Sequence, residues 1–586
     1  MFRQADPGVP ADDDLLAELG RDVVATVRAA QDELVHAPLD RLLIIQGGPG
    51  TGKTITALRR VAWLLDEGLL DDAETLVVGP SAAFARYTDD VLTGWGYDRV
   101  AHRSVTELLP DAPVTIDEAP FVTRLKGEAR MARLLARAFE ERPGSSAPGE
   151  LPESIEIEGR TIRLDPVALR RVIDTARASE AAPMARRILL RATLVADTKD
   201  PRLVLEAADR LAERLWPSLD PQGFLRELFG SREVLASAAG GEFTDREIES
   251  LHRPADEHGW TDADLPLLDE AAHLIDGDPK GFGHVVVDEA QDLSPMQLRA
   301  ITRRSTTGSM TLVGDIAQST GPWARDDWHD LIAQLPSAQP HEHRELRFGY
   351  RIPRQIFELA AELLPMAAPS VPAPLTVRDG ADPVIVPADQ ATRASLVAAA
   401  AAGHAEQGRS VAVVCPARCR EEIIAGLDAE GVGWQPGAGG PGIALLAPHE
   451  AKGLEFDAAV VVEPGHILDD DPRGHRLLYI ALTRSIGHLH LIGAPEDLPI
   501  EPAPIEPAPD EPAPDEATPD EPASAPQMEE AQPESPAPPV IELDPATHES
   551  IDMVVQSLAE TLLGSLTPEL WPIALHRLEQ LINPEI

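Results

Sequence analysis

The chain reads as an α/β protein carrying two parallel sheets, with a long helical segment set into the first. Three observations predict this. A glycine-rich turn joins the apolar run Leu42-Leu-Ile-Ile45 to the helical pattern Thr56-Ala-Leu-Arg-Arg-Val-Ala-Trp-Leu-Leu65. A second apolar run, Val285-Val-Val287, ends in Asp288-Glu289. Short apolar strands then alternate with helical patterns from about residue 340 to 495, the pattern of parallel sheets of the doubly wound class.

The turn comes first because its spacing carries chemistry. Gly47, Gly52, Lys53 and Thr54 fill the pattern G-x4-G-K-[ST] of a nucleotide-binding loop. Glycines, Gly50 among them, let backbone N–H groups close around phosphate oxygens, and the following helix start adds a favourable partial charge. Lys53 can reach the β- and γ-phosphates, and the Thr54 hydroxyl can ligate Mg²⁺. The candidate site is therefore one for a nucleoside triphosphate. Asp288 is the natural second metal-holding group, and Glu289 beside it can orient and deprotonate an attacking water.

Composition limits the partners. The chain has 586 residues and a formal net charge of -47, so it has no overall basic footprint for nucleic acid. Any strand must be held by a local groove. The 43% hydrophobic content is enough for sizeable cores, and the length predicts several domains. Cys415 and Cys419 are the two cysteines, a poor zinc site and no disulfide framework. Met1 to Asp14 lacks the basic and apolar parts of a signal peptide, and no run approaches a membrane span. A cytoplasmic protein without membrane contact is expected. Lysine occurs only at Lys53, Lys126, Lys199, Lys280 and Lys452, so each marks a position where a specific need is plausible.

Taken in order, residues 12–30 predict a helix ending near Gln31. Strands are expected at Thr75–Gly79, Gly283–Val287 and Met310–Asp315 in the first sheet. In the second they are expected at Val384–Val386, Ser410–Val414, Ile443–Ala447, Ala458–Val462 and Leu489–Ile492. Between residues 118 and 275 the patterns are mostly amphipathic helices, broken by a strand pair around Ile155–Leu164. From Pro499 to about Asp544, repeats such as Glu-Pro-Ala-Pro-Asp-Glu hold no Lys or Arg and predict an extended, self-repelling linker. Ile551–Leu563 and Leu570–Ile582 follow as apolar-striped helices that dock on the body, dimerise or hold another protein.

Beyond Asp288-Glu-Ala-Gln-Asp292, further segments stand in the order found in superfamily 1 helicases of the UvrD/Rep type, which this chain resembles. The resemblance implies two RecA-like domains and the ligands ATP and Mg²⁺. Gln31 lies where the family reads adenine. Gly314-Asp-Ile-Ala-Gln318 matches the segment whose glutamine senses the γ-phosphate. Tyr350-Arg351 matches the pair in which tyrosine stacks on adenine and arginine touches the γ-phosphate. His449-Glu-Ala-Lys-Gly-Leu-Glu455 matches the segment coupling the second domain to ribose, through Glu455, and to nucleic acid, through His449. Arg484 of Ala481-Leu-Thr-Arg484 is the implied second arginine finger. Guanidinium groups delivered across a cleft stabilise transition-state charge.

The branch most resembled is the HelD type of RNA polymerase-binding ATPases, over roughly residues 20–495. Trp216–Gly230, Trp260–Glu270 and Gln318-Ser-Thr-Gly-Pro-Trp323 look like that branch, and so does the short interval from Arg351 to His449, where unwinding relatives insert a duplex-binding subdomain. The long N-terminal coiled-coil arm of HelD proteins has no counterpart here. The family segment rich in Thr, Asn and Lys is replaced by Gly79-Pro-Ser-Ala-Ala-Phe84, and Gly349 replaces an asparagine. Trp323 sits where a base-stacking aromatic is expected, with Phe84 as its helper; stacking is worth about 1–3 kcal/mol per base. Each aromatic is equally readable as core.

The implied organisation is an N-terminal helix (1–30), a first RecA-like domain (31–117 and 281–340), a helical insertion (118–280), a second RecA-like domain (341–498), a linker (499–545) and a helical tail (546–586). Two functions follow. One is an ATPase that remodels a nucleic-acid-associated complex, with RNA polymerase as partner and single-stranded DNA held weakly. The other is a 3′–5′ DNA helicase or translocase acting on single-stranded DNA in repair. Acidity and the missing duplex-binding insertion favour the first.

Overall fold

The computed structural model describes residues 21–141, 154–157, 160–163, 167, 170–171, 219–254, 259–335, 340–437 and 442–495. The expected linker and both tail helices lie outside these residues, as do residues 12–20 of the expected first helix and part of the helical insertion.

The first sheet has six parallel strands: β1 (Leu42–Gly47), β2 (Thr75–Gly79), β3 (Ala101–Ser104), β6 (His284–Val287), β7 (Met310–Gly314) and β8 (His341–Leu346). Their spatial order is β3-β2-β6-β7-β1-β8. Every residue of β1, β2, β6 and β7 is buried. Helices cover both faces of a parallel sheet, which is why these strands are written as unbroken apolar runs. The helices packed here include α1 (Arg21–Val35), α2 (Lys53–Asp66) and α3 (Ala82–Gly94). The α1 helix runs four residues past Gln31. Leu34 continues its apolar face into the core beneath β1, so the periodicity did not stop at Gln31.

Between β3 and β6 lies the helical segment: α4 (Pro120–Gly127), α5 (Arg130–Glu141), α6 (Pro221–Gly230), α7 (Arg232–Ala239), α8 (Asp245–Leu251) and α9 (Leu265–Asp276). The expected strand pair is present as the antiparallel hairpin β4 (Ser154–Ile157) and β5 (Arg160–Arg163). Lys126 is fully buried at the end of α4, and its ammonium meets Glu118 and, at 2.9 Å, Asp264. Arg253 reaches Asp264 at 2.6 Å. Two cations facing two carboxylates satisfy a buried ionic cluster that a single missing partner would leave uncompensated.

The second sheet is also six-stranded and parallel, in the order β11-β16-β15-β12-β14-β13. It contains β11 (Val384–Pro387), β12 (Val411–Val414), β13 (Trp434–Pro436), β14 (Ile443–Leu446), β15 (Phe456–Val462) and β16 (Ser485–Gly493). A short pair, β9 (Phe348–Gly349) with β10 (Leu375–Thr376), lies between the sheets in sequence. Further helices are α10 (Pro295–Thr302), α11 (Arg354–Ala361), α12 (Arg393–Ala405), α13 (Arg420–Ala429), α14 (Pro464–Asp469) and α15 (Gly474–Leu482).

One expected boundary moves. Residues 341–346, read as the start of the second domain, pair with β1 along its whole length and belong to the first sheet. As an edge strand with exposed polar residues, His341-Glu-His-Arg-Glu345 carries no apolar run to betray it.

Candidate functional site

Parallel strands end on one side of a sheet, and ligands of open α/β sheets sit there, where neighbouring connections diverge. In the first sheet the chain leaves β1 across β7 and β6 to reach β2, and leaves β7 across β1 to reach β8. The glycine-rich turn follows β1 at that point. Gly52 adopts φ 80° and ψ 29° just before α2, and no side chain caps the helix start. A Cβ on Gly52 would lie 2.2 Å from the Tyr350 hydroxyl. Glycine is required there both by its left-handed backbone and by this approach. At Gly47 a Cβ would stand 2.6 Å from Thr51 Oγ1 and 2.8 Å from Lys53 Cγ. Lys53 Nζ donates to the Gly48 carbonyl at 3.3 Å.

The carboxylates arrive from β6. Thr54 Oγ1 donates to Asp288 Oδ2 at 2.5 Å. Glu289 has φ 53°, a left-handed conformation that costs a non-glycine residue on the order of 1–3 kcal/mol. Among the described residues only Glu463, one residue beyond β15, shares this strain. Burial and the adjacent Glu289 charge push the Asp288 carboxyl up to about 6. Burial also acts on Glu289, but Lys452, Lys53 and the Gln291 amide outweigh it and hold that carboxyl below its usual value. Burial raises Asp292 to about 6 despite Lys452.

A divalent cation fits this donor set. Thr54 and Asp288 offer hard oxygen ligands within contact of each other, and the raised Asp288 pKa marks negative charge in need of a partner. Among the described residues no group of three or more His, Cys, Asp and Glu side chains forms a metal cage.

Around the carboxylates runs a buried polar network. Gln46, the one polar side chain of β1, donates from Nε2 to Asp315 Oδ1 at 2.9 Å. Its Oε1 accepts from Ile316 N and from Trp328 Nε1. Gln318 Nε2 donates to Asp315 Oδ2 at 2.7 Å. Arg484, buried at the end of α15, donates from Nη2 to Gln318 Oε1 at 3.1 Å and from Nη1 to the Leu454 carbonyl at 3.1 Å. Lys452 Nζ, from the second sheet, lies between Asp292 and the Gln318 carbonyl. Arg351 Nη1 reaches Glu455 Oε1 at 2.9 Å. Lys53, Thr54, Asp288, Glu289, Gln318, Arg351, Glu455 and Arg484 are thus linked to one cleft between the sheets.

Arg476 ties the cleft to the loop beyond it. It is buried on α15 and donates to the carbonyls of Ala367, Ser319 and Arg325, and to Asp326 at 2.7 Å. Arg476 and Gln46 were not singled out from sequence, and Asp315 and Gln291 stood inside quoted segments without a role of their own. A lone glutamine inside the apolar β1 run was the available signal for Gln46, and lysine scarcity was the signal for Lys452.

Gln31 and Tyr350 both approach Gly52, where an added Cβ would lie 3.0 Å from Gln31 Nε2 and 2.2 Å from the Tyr350 hydroxyl. Gln31 Nε2 donates to the Thr51 carbonyl at 3.4 Å and its Oε1 accepts from Arg59. Tyr350 is fully buried against Val27 of α1, and its backbone N–H donates to the Gly50 carbonyl at 3.0 Å. His449 is exposed before β15.

The aromatic pair divides. Phe84 does not accompany Trp323: it is buried in the core cluster with Val77, Leu58 and Leu92, and a Cβ on Gly79 would strike its ring at 1.8 Å. Ser81 caps α3 and turns Phe84 inward onto β2. Trp323 is half-buried; its ring packs on Gly127 of α4, with the Arg124 guanidinium 5.4 Å from the ring centre.

No protein-family model matches the chain. No curated protein matches it. Among solved structures, it is similar to the C-terminal domain of a possible DNA helicase from Lactobacillus plantarum WCFS1. The identity is 24%, the match covers 25% of this chain and 87% of that one, and the TM-score is 0.21. No helix among the described residues is long and apolar enough to cross a membrane.

Proposed function

We propose that this chain is an ATP-hydrolysing motor of the superfamily 1 UvrD-like type, with two RecA-like domains, and that it is of the HelD branch. The carrying observation is the convergence of Thr54, Asp288 and Glu289 from the first sheet with Arg484 and Lys452 from the second. In this reading the turn at Gly47, Gly50 and Gly52, with Lys53, holds the phosphates. Mg²⁺, held by Thr54 and Asp288, supplies charge neutralisation of the phosphates when bound. Glu289, kept ionised by Lys452 and Lys53, takes the proton of the attacking water. Gln318 joins Asp315 to Arg484, so loss of the γ-phosphate changes a contact that spans both sheets. Arg351 leaves Glu455 for the phosphate as the cleft closes. Gln31 and Tyr350 flank the base, which requires Tyr350 to move off α1.

The work proposed is the remodelling of a nucleic-acid-associated complex, with RNA polymerase as the partner and single-stranded DNA held weakly. Two features support this over duplex unwinding. Among the described residues, 354–437 and 442–446 supply helices and strands of the second sheet and form no separate body to grip a duplex. The net charge of -47 opposes phosphate contacts over most of the surface. The test begins with phosphate release by wild type and Glu289→Gln, the variant being expected to retain ATP with little hydrolysis. Strand displacement on a tailed duplex then runs beside capture of purified RNA polymerase. Efficient unwinding without polymerase capture would make the protein a minimal 3′–5′ helicase instead.

A further inference from the structure

We propose that Phe121, Arg124 and Arg246 extend Trp323 into a stacking strip for single-stranded nucleic acid on the helical segment. The inference rests on the reading of the chain as an ATP-driven motor and assigns its strand a place. Four observations carry it.

Phe121 is 46% exposed at the start of α4, so one face of its ring is open to a ligand. Arg124 is three residues on and shares its helix face. The guanidinium of Arg124 lies 5.4 Å from the Trp323 ring centre, and that of Arg246 on α8 lies 5.6 Å from the Phe121 ring centre. Trp323 in turn packs on Gly127 at the far end of α4. The strip therefore runs the length of the helix. Six residues of helix rise span about 9 Å, room for roughly two or three nucleotides at about 3.4 Å each.

Charge picks out the occupant. The neighbouring arginines Arg130, Arg133, Arg137, Arg232 and Arg253 are all paired with carboxylates. Among the described residues no carboxylate pairs with Arg124 or Arg246; Arg124 donates only to the Pro322 carbonyl, at 2.7 Å. Arg226, also exposed and without a carboxylate partner among the described residues, lies over the buried Trp260 ring at 5.1 Å, whereas Arg124 and Arg246 rest on rings that solvent reaches. A base can replace each guanidinium on its ring, while the guanidinium turns to a phosphate. Stacking is indifferent to sequence because every base has a π face.

The strip also has a route to the nucleotide site. Trp323 is five residues from Gln318, and Ser319 between them accepts from Arg325 N at 3.0 Å and, through its carbonyl, from Arg476. Strand and nucleotide would thus press on one short loop.

The test is fluorescence anisotropy of a labelled twelve-nucleotide oligothymidylate with the full chain, over a salt series, each variant's fold being checked by thermal melting. Phe121→Ala is expected to raise Kd about fivefold or more, and Phe121→Trp to bind at least as tightly as wild type. Arg246→Gln should lower the slope of log Kd against log salt by about 0.7, the loss of one single-strand phosphate contact. A merely structural change would not shift that slope. Wild-type affinity and slope in both Phe121→Ala and Arg246→Gln overturn the proposal, as does a wild-type chain that binds no oligonucleotide. Variants that impair polymerase capture but not oligonucleotide binding overturn it too, and make the strip a protein-docking surface. Phosphate release by wild type is measured alongside. If it is absent, the motor reading itself fails; if it is present and the variants bind normally, only the strip fails.

Discussion

Lys452 reaches across the cleft to Asp292, placing an ammonium from the second sheet against a carboxylate from the first. The same ammonium donates to the Gln318 carbonyl, and its charge helps keep Glu289 ionised. One side chain thus touches the expected γ-phosphate sensor and the half-buried Asp292 carboxylate, and its charge acts on the expected base.

Lys452→Met should therefore cost turnover more than affinity. The expected outcome is a fall in kcat of at least about tenfold, with KM for ATP changed by less than about tenfold. Removing one partner of this half-buried pair also leaves the other unpaired, so Tm should fall, and Asp292→Asn in the same chain should recover part of it. A double variant no more stable than Lys452→Met alone would show that the two side chains are not energetically paired.

The two arginines should separate. Arg484 is buried and committed to the Gln318 amide and the Leu454 carbonyl, so Arg484→Ala is expected to lose both turnover and stability. Arg351 is partly exposed and its partner is the half-buried Glu455. Arg351→Ala is expected to lose turnover by a factor of about 10³ or more, the scale of arginine fingers, with Tm nearly unchanged. Intact turnover in Arg351→Ala removes it from the chemistry.

Metal dependence should follow the Thr54–Asp288 contact. Thr54→Val and Asp288→Asn are each expected to raise the Mg²⁺ concentration for half-maximal ATP hydrolysis by about tenfold or more. Calorimetric titration of Mg²⁺ in the presence of a non-hydrolysable ATP analogue checks this independently of turnover. Unaltered metal dependence in both variants would place the cation elsewhere.

His284 gives the pH prediction. Burial, with a smaller contribution from Arg60, lowers its pKa to about 3. It stays neutral between Ser309 and Thr311, with ring nitrogens 2.9 and 3.2 Å from their hydroxyls. The unfolded chain takes a proton near pH 6.5 that the native chain refuses. The stability contribution is thus complete above about pH 6.5 and declines as pH falls towards 3, at up to about 1.4 kcal/mol per unit. Urea midpoints at pH 7 and pH 5 should differ more for wild type than for His284→Gln. Equal differences would assign the acid sensitivity to other groups, such as His404, which burial lowers to about 4.

The amino-acid sequence by itself determined the central strands and the order of the candidate site residues along them. β1, β2, β6, β7, β12, β14 and β15 are central to parallel sheets, so covering helices demand apolar residues on both faces, and a local run suffices to locate them. The glycine-rich turn was legible because phosphate-sized turns restrict residue type at fixed spacing. Edge strands β3, β8 and β13 were not legible: Ala101-His-Arg-Ser104 and His341-Glu-His-Arg-Glu345 are half solvated and look like loops. Only the tertiary structure decided that Phe84 is core while Phe121 is exposed, since either ring suits a helix and its fate depends on what packs above it. It also decided the polar network. Gln46 meets Asp315 because β1 and β7 pair with Gln46 opposite Gly314, and Lys452 meets Asp292 because two sheets far apart in sequence close on one cleft. Such pairings are fixed by register and docking, which arise from the summed burial of whole sheets and are written in no single stretch of the chain.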